Sequence, residues 1–395
     1  MPPSSLVFNY RAAPPCGRAV CARVLSIWAC LLPLAYQSAT SGPPPQLQGP
    51  DKGQVPLAWE RLPDLPDALG VAGPFVGVHQ GVLLVAGGAN FPRPVWESEK
   101  VWHRKIHVLV AEGSNFVWRD GGTLSQPIAY GAAVSSHRGV ICLGGNHADK
   151  TFDQVFALRW NAQTQRVSHV DYPRLPSPCA YGQATLIGDI LYLAGGQRSA
   201  SLDSAMPNLW ALDLSGTAPP ETLRWQILKP CPGGPRSFNL TVSQKNAADD
   251  CLYLLSGRRQ GQDGVQFLRD VWEYNVRLQS WRRRADTPRC VMAGTAVAAG
   301  SRTVLVLGGA DGSLFGQADA LKDRHPGFPR LSCQFDTASN RWVEGPPIPQ
   351  NHVTTIPVRF AGKLVIASGE IRPRVRTPWI WQIQFPVDAT SFERQ

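Results

Sequence analysis

Charge is scarce in this sequence: 17% of its 395 residues are Asp, Glu, Lys or Arg. Long solvent-facing helices need charged faces, so a helical bundle is excluded as the main architecture. Long apolar runs are also lacking. Val24 to Ala35 is too short to span a bilayer comfortably, and no other segment qualifies. No two cysteines stand in CxxC spacing, which argues against a zinc site. Nine cysteines are present, with Cys16, Cys21 and Cys30 near the N-terminus. Of the other six, Cys142, Cys179, Cys231, Cys251, Cys290 and Cys333, several sit in expected strands, where a buried free thiol is the simple reading; export would permit disulfides, but sequence cannot pair them. A basic stripe is missing too. The formal net charge is +10, but the densest runs, Arg282 to Arg284 and Arg372 to Arg376, are short and carry no interleaved aromatics. Nucleic acid is therefore not expected as a partner, whereas small anions are attracted to such a surface.

The N-terminus is organised apart from the rest. Arg11, Arg18 and Arg23 precede the apolar run, and the small residues Ser38 and Ala39 follow it. This order reads as a signal peptide over 1–40, followed by a proline-rich linker over 41–56. A lipid anchor on Cys30 is disfavoured because bulky Trp28 precedes it and the apolar run continues past it. Export to the periplasm or the medium is expected, with no stable membrane span after processing.

Glycine (37 residues), proline (35) and tryptophan (13) are plentiful, as in many short strands joined by turns and packed through large aromatics. An apolar run ending in two small residues recurs six times: VLLVAGG, VICLGG, LYLAGG, LYLLSG, VLVLGG and LVIASG. Successive copies lie about 50 to 60 residues apart, the period of kelch repeats. Continuous apolar runs of this length fit strands buried on both faces. A second strand follows each variable loop (KIHVLV, QVFALRW, NLWALDL, DVWEYNV, LSCQFD, WIWQIQF), and Trp118, Trp225, Trp281 and Trp342 open a further one. Each repeat is thus a four-stranded antiparallel sheet, and the fold class is all-β: a six-bladed kelch-type β-propeller over 57–386, with a tail at 387–395. The last copy lacks its tryptophan strand, and LAWERLPDLP (57–66) supplies it, so N- and C-terminal strands pair to close the last blade and remove an exposed edge.

The loop after each small-residue pair falls at one mouth of the channel. Asn90, Asn146, His147, Gln197, Arg198, Arg258, Asp311 and Glu370 stand there, a polar collar suited to a small, hydroxylated, anionic ligand. The last loop, S-G-E-I-R-P-R-V-R-T-P-W-I-W, carries Glu370 and Arg376 six residues apart across a proline-containing turn.

That loop resembles the GE-x-x-P-G-x-R-T segment of the bacterial N-acetylneuraminate epimerases, the sialic acid mutarotases. Glu370, Pro373, Arg376 and Thr377 match it, and Arg374 stands where the family has glycine. LRDVWEYNVRLQSW, GGADGSLFGQAD and LPDALGVAGPFVG resemble further family segments, but in an order implying cyclic permutation, and GGANFPRPVWESEKVWH is typical of that permuted branch. The resemblance implies interconversion of the α- and β-anomers of sialic acid. Glu370 would be the acid/base catalyst and Arg376 the partner of the substrate carboxylate. Loop position alone, not the resemblance, suggests Arg258, Asn90, Asn146, Gln197 and Asp311 as substrate-binding residues, with Arg198 and Arg372 assisting. No metal, nucleotide or other cofactor is required.

The alternative is a non-catalytic propeller that binds a protein or a carbohydrate through its loops. A sialidase would show repeated S-x-D-x-G-x-T-W turns, which are missing. A copper oxidase of the galactose oxidase type would need a Tyr/His/Cys metal set, which eight tyrosines do not obviously provide.

Overall fold

A computed structural model describes residues 57–384. The expected leader 1–40, its cysteines, the linker 41–56 and the tail 387–395 lie outside the described residues. Six four-stranded antiparallel sheets account for nearly all regular structure. Blade one is typical: Phe75–His79, Val82–Ala86, Lys105–Glu112 and Asn115–Thr123 run from axis to rim. The first strands of the blades are Phe75–His79, Ala132–Ser136, Gln183–Ile187, Leu240–Lys245, Thr295–Ala299 and Pro357–Phe360. Each touches its counterparts in both neighbouring blades, so together they close around the axis.

The second strands are the apolar runs of the sequence. They read as unbroken because their two faces belong to two different cores. In Val82–Ala86, Leu84 packs with Phe156 and Leu158 of blade two, whereas Leu83 and Val85 pack with Val358, Val365 and Ile380 of blade six. Cores of this kind lie between all six neighbouring pairs of blades. Burying a Leu or Ile in one contributes roughly 2 kcal/mol. The tryptophans of the outer strands add a tie between blades. Trp118, Trp225, Trp281 and Trp342 each donate Nε1–H to a main-chain carbonyl of the preceding blade's loop, at Pro63, Pro173, Lys229 and Ala285.

Closure follows the expected route. Ala58–Leu62 pairs antiparallel with Ile380–Gln384, from Ala58 opposite Gln384 to Leu62 opposite Ile380, and forms the outer edge of blade six. The six cysteines of the blades are free and buried. Among the described residues no helix is long and apolar enough to cross a membrane.

The small-residue pairs have a conformational cause. Both members of every pair have positive φ, and the first abuts the next blade. A Cβ on Gly195 would stand 2.0 Å from Asn239 Oδ1, so only glycine fits there. Ser368 occupies the same position in blade six at φ 56°. Its hydroxyl offsets the strain by accepting from Val71 N at 2.8 Å and reaching the Thr377 carbonyl at 2.8 Å.

Candidate active site

The residue after each pair forms a β-bridge to the segment entering its own blade's first strand: Ala89 to Ala72, Asn146 to Ala129, Gln197 to Ala180, Arg258 to Ser237, Ala310 to Met292 and Glu370 to Val353. Six equivalent positions thus encircle the channel mouth. Four of the expected site residues, Asn146, Gln197, Arg258 and Glu370, occupy them. Asn90 and Asp311 stand one residue further on, behind Ala89 and Ala310.

Beneath this collar the main chain makes a closed circuit. Tyr130 N donates to Gly73 O, Tyr181 to Tyr130, Phe238 to Tyr181, Ala293 to Phe238, Thr354 to Ala293 and Gly73 to Thr354, all at 2.6 to 2.8 Å. Every donor residue has φ between 57° and 66°. Amides aligned head to tail polarise one another, and the ring fixes the side chains it carries. On one half these are aromatic: Tyr130 lies 5.0 Å from Tyr181, and Tyr181 stacks on Phe238 at 4.4 Å. The other half carries Gly73, Ala293 and Thr354. Sequence reasoning missed this aromatic floor, although A-Y-G at 129–131 and again at 180–182 was its signal.

Glu370 and Arg376 face each other on a short hairpin, Glu370–Arg372 with Val375–Arg376. Glu370 Oε1 accepts from Arg376 Nη1 at 3.1 Å and from the main-chain N of Arg374 at 2.8 Å. No described residue bonds Oε2. The Arg376 side chain is only 3% exposed against 16% for Glu370. Its Nε donates to Ala89 O and its Nη2 reaches the Tyr130 hydroxyl, both at 3.3 Å, while its guanidinium lies 4.8 Å above Phe91. Burial opposes the Arg376 charge, but Glu370 and Tyr130 outweigh it and raise its pKa. Arg374 takes φ 66°, so it adopts the conformation a glycine would, and its guanidinium stacks on Phe91 at 4.9 Å and near Trp96 at 5.6 Å.

Asn146 Nδ2 donates to the Tyr181 hydroxyl at 2.8 Å and Oδ1 accepts from Trp102 Nε1 at 3.3 Å. Burial, then the nearby Tyr130, push the Tyr181 phenol well above its ordinary value, so it remains a neutral donor. Arg258 lies over Phe238 at 4.4 Å and near Phe315 at 5.5 Å. Other expected site residues hold scaffold. Asn90 Nδ2 donates to Gly70 O at 2.9 Å, and its Oδ1 is 2.8 Å from His103 Nε2. Gln197 Nε2 donates to the Ser199 and Ala200 carbonyls. Asp311 Oδ1 caps its own turn through Ser313 N and Oγ. Arg198 is exposed, and His147 lies beside Trp102 at 5.2 Å.

The loop after Ala310 folds over the mouth and is clasped by the hairpin. Arg372 donates Nη1 to Asp323 O at 2.7 Å and Nη2 to Asp323 Oδ1 at 2.6 Å, and Trp96 Nε1 reaches the same carboxylate at 3.3 Å. His325, two residues on, is buried and accepts from Gly327 N through Nδ1 at 3.0 Å. Its neutral ring therefore carries the proton on Nε2. Burial and then Arg372 lower its pKa, against an opposing pull from Glu370. Among the described residues no three His, Cys, Asp or Glu converge as a metal set.

No family model matches the chain. Among curated proteins, it is 37% identical over 132 residues to the N-acetylneuraminate epimerase of Yersinia pestis (strain Pestoides F), a stretch that is 29% of this chain and 32% of that protein. It is 25% identical over 264 residues to the N-acetylneuraminate epimerase of Haemophilus influenzae (strain PittEE), covering 60% of this chain and 64% of the relative. The chain thus spans about a third of the length of the Yersinia relatives it matches and just under two thirds of the Haemophilus one. The solved structure of YjhT superposes with a TM-score of 0.59 at 14% identity, over 84% of this chain and 98% of that one, which shows the shared propeller fold. With six kelch-type blades and these stretches of identity, the chain is similar to the N-acetylneuraminate epimerases.

Proposed function

We propose that this protein is a mutarotase that interconverts the anomers of N-acetylneuraminate, with Glu370 as the single acid/base group. The observation that carries the reading is the division of labour within one carboxylate. Oε1 is fixed by Arg376 and by the Arg374 main chain, whereas Oε2 has no bond from a described residue and stands at the channel mouth. A carboxylate held by one oxygen and open at the other is suited to collect a proton and return it from a fixed position.

The chemistry needs no more than this. Sialic acid is a cyclic hemiketal, and anomer exchange requires ring opening, rotation about one bond and ring closure. Glu370 takes the proton of the anomeric hydroxyl as the carbon–oxygen double bond forms and the bond from that carbon to the ring oxygen breaks. The protonated carboxyl then delivers its proton to the ring oxygen. After rotation the steps reverse on the other face of the carbonyl, and carboxylate and proton count are restored. Arg376 keeps the carboxylate oriented and compensates its charge. Tyr181 and Asn146 offer polar contacts to the substrate's hydroxyl and N-acetyl groups, and Tyr130 and Phe238 give the apolar floor against which a sugar face packs.

The substrate assignment is supported by the names of the relatives and by the cationic, aromatic mouth. Exchange spectroscopy on an equilibrated solution of N-acetylneuraminate tests it. Catalytic amounts of protein are expected to produce saturation transfer between the two anomeric signal sets at neutral pH, beyond that in buffer alone. Binding without enhanced exchange would reject catalysis and leave a carbohydrate-binding propeller.

A further inference from the structure

We infer that Arg258, rather than Arg376, is the group that holds the substrate's carboxylate, an inference that rests on the sialic acid reading above. The two arginines of the site are in opposite conditions. Arg376 is almost wholly buried, and its Nε and both Nη atoms face protein acceptors: the Ala89 carbonyl, the Glu370 carboxylate and the Tyr130 hydroxyl. Its charge is already matched by Glu370. Burial to 3% exposure leaves little of its guanidinium open to a second carboxylate.

Arg258 has no such partner. No described carboxylate lies within salt-bridge distance of it, and its Nε is buried with no acceptor among the described residues. Its guanidinium is half-buried between the Phe238 ring at 4.4 Å and the Phe315 ring at 5.5 Å. Ring faces attract a cation but accept no hydrogen bond in the plane of the guanidinium, which is where a carboxylate makes its two parallel bonds. Desolvation lowers the Arg258 pKa, consistent with a cation held without an anion. A charge kept in this state is costly unless a ligand completes it.

Its position in the collar suits the task. Going round the mouth, Arg258, Ala310 and Glu370 occupy consecutive equivalent positions. Alanine between them leaves a gap whose two ends are a guanidinium and a carboxylate. The substrate carries its own carboxylate on the anomeric carbon, the carbon whose hydroxyl must meet Glu370. One ligand can therefore lie across the gap, its carboxylate towards Arg258 and its anomeric hydroxyl towards Oε2. The loop that follows Ala310 supplies Phe315, 5.5 Å from Arg258, and His325, which feels the charge of Glu370, so a single segment borders the gap. The order also keeps two negative charges apart, because the substrate's carboxylate is drawn away from Glu370.

Comparing N-acetylneuraminate with its methyl ester tests the assignment, since esterification removes the carboxylate charge and leaves the hemiketal intact. Affinity is measured by ligand-observed NMR titration on wild type, Arg258→Met, Arg258→Lys and Arg376→Met, each first shown to melt cooperatively. Wild type is expected to prefer the acid by about 10- to 100-fold, the range for a charge-assisted pair. Arg258→Met is expected to bind acid and ester alike, and Arg258→Lys to recover part of the preference. Arg376→Met should retain it. A wild-type preference that survives in Arg258→Met, or is lost in Arg376→Met alone, overturns the inference while leaving the mutarotase reading standing. Binding of neither compound by wild type overturns both.

Discussion

Glu370 and Arg376 are register partners across a hairpin, and the same Glu370 oxygen that accepts from Arg376 Nη1 at 3.1 Å accepts from Arg374 N at 2.8 Å. The family glycine is replaced at residue 374, yet the group that touches the carboxylate is the main-chain N–H. That N–H is oriented by a backbone at φ 66°, which glycine adopts freely.

Replacing Arg374 by glycine is therefore predicted to leave the anomer exchange rate within a few-fold of wild type. Relief of the left-handed strain, about 1 kcal/mol, is offset by the lost stacking on Phe91 and Trp96, so the melting temperature should change little. Rate and thermal melting together check this, and a large loss of rate would show that the side chain itself is needed.

The Tyr181 hydroxyl accepts from Asn146 and has its own proton left to donate at the channel mouth. Tyr181→Phe is predicted to weaken substrate binding about 2- to 10-fold, the worth of one neutral hydrogen bond, while the rate at saturation falls less. Because burial keeps this phenol neutral, the wild-type pH profile should show no limb from its ionisation near pH 10. Steady-state kinetics on both proteins across pH would show either effect.

The six blades were legible because the strands that define them are buried on both faces. Leu83 and Leu84 serve different cores, so no polar residue interrupts VLLVAGG. The strand Ala58–Leu62 was legible for a related reason, since the missing tryptophan strand had to come from somewhere. The first strands were harder to see. Gln183–Ile187 and Pro357–Phe360 are short and only partly apolar, because one face lines the channel. In the site, Glu370 and Arg376 were found through a resemblance that local spacing alone would not have given. Tyr130, Tyr181 and Phe238 come together through a ring of main-chain bonds between residues more than fifty positions apart, and the recurring A-Y-G is its one local trace. Asn90 and Asp311 lie in the expected loops, one residue beyond the bridge positions that Ala89 and Ala310 occupy.

Stability should fall on mild acidification through His352. Its ring is buried, Nδ1 donates to the Ser368 carbonyl, and Nε2 has no partner. Burial takes its pKa from 6.5 to about 4, so the native protein binds fewer protons than the unfolded chain. Its contribution is full above pH 6.5 and is lost between there and pH 4, by roughly 3 kcal/mol. His79, His107 and His325 are shifted in the same direction, each first by burial. Denaturant melts at stepped pH are expected to show this slope, and His352→Gln to flatten part of it.

Blade four carries a buried ion pair outside the site, with Arg284 Nη1 2.7 Å from Glu273 Oε2 and both side chains under 5% exposed. Tyr253 and Asn246 also donate to Glu273, each at 3.0 Å. Arg284→Met leaves this carboxylate without its cation and is predicted to cost about 3–5 kcal/mol. Replacing Glu273 by Gln in the same protein should recover part of the loss in a denaturant titration.

The most direct test of the central claim follows freshly released α-N-acetylneuraminate by proton NMR with wild type and with Glu370→Gln, after melting curves confirm that the variant folds. The proposal predicts that wild type hastens equilibration, and that Glu370→Gln loses about 10²- to 10⁴-fold of the acceleration while still binding the sugar. A wild-type rate equal to buffer, or a Glu370→Gln rate equal to wild type, would contradict it.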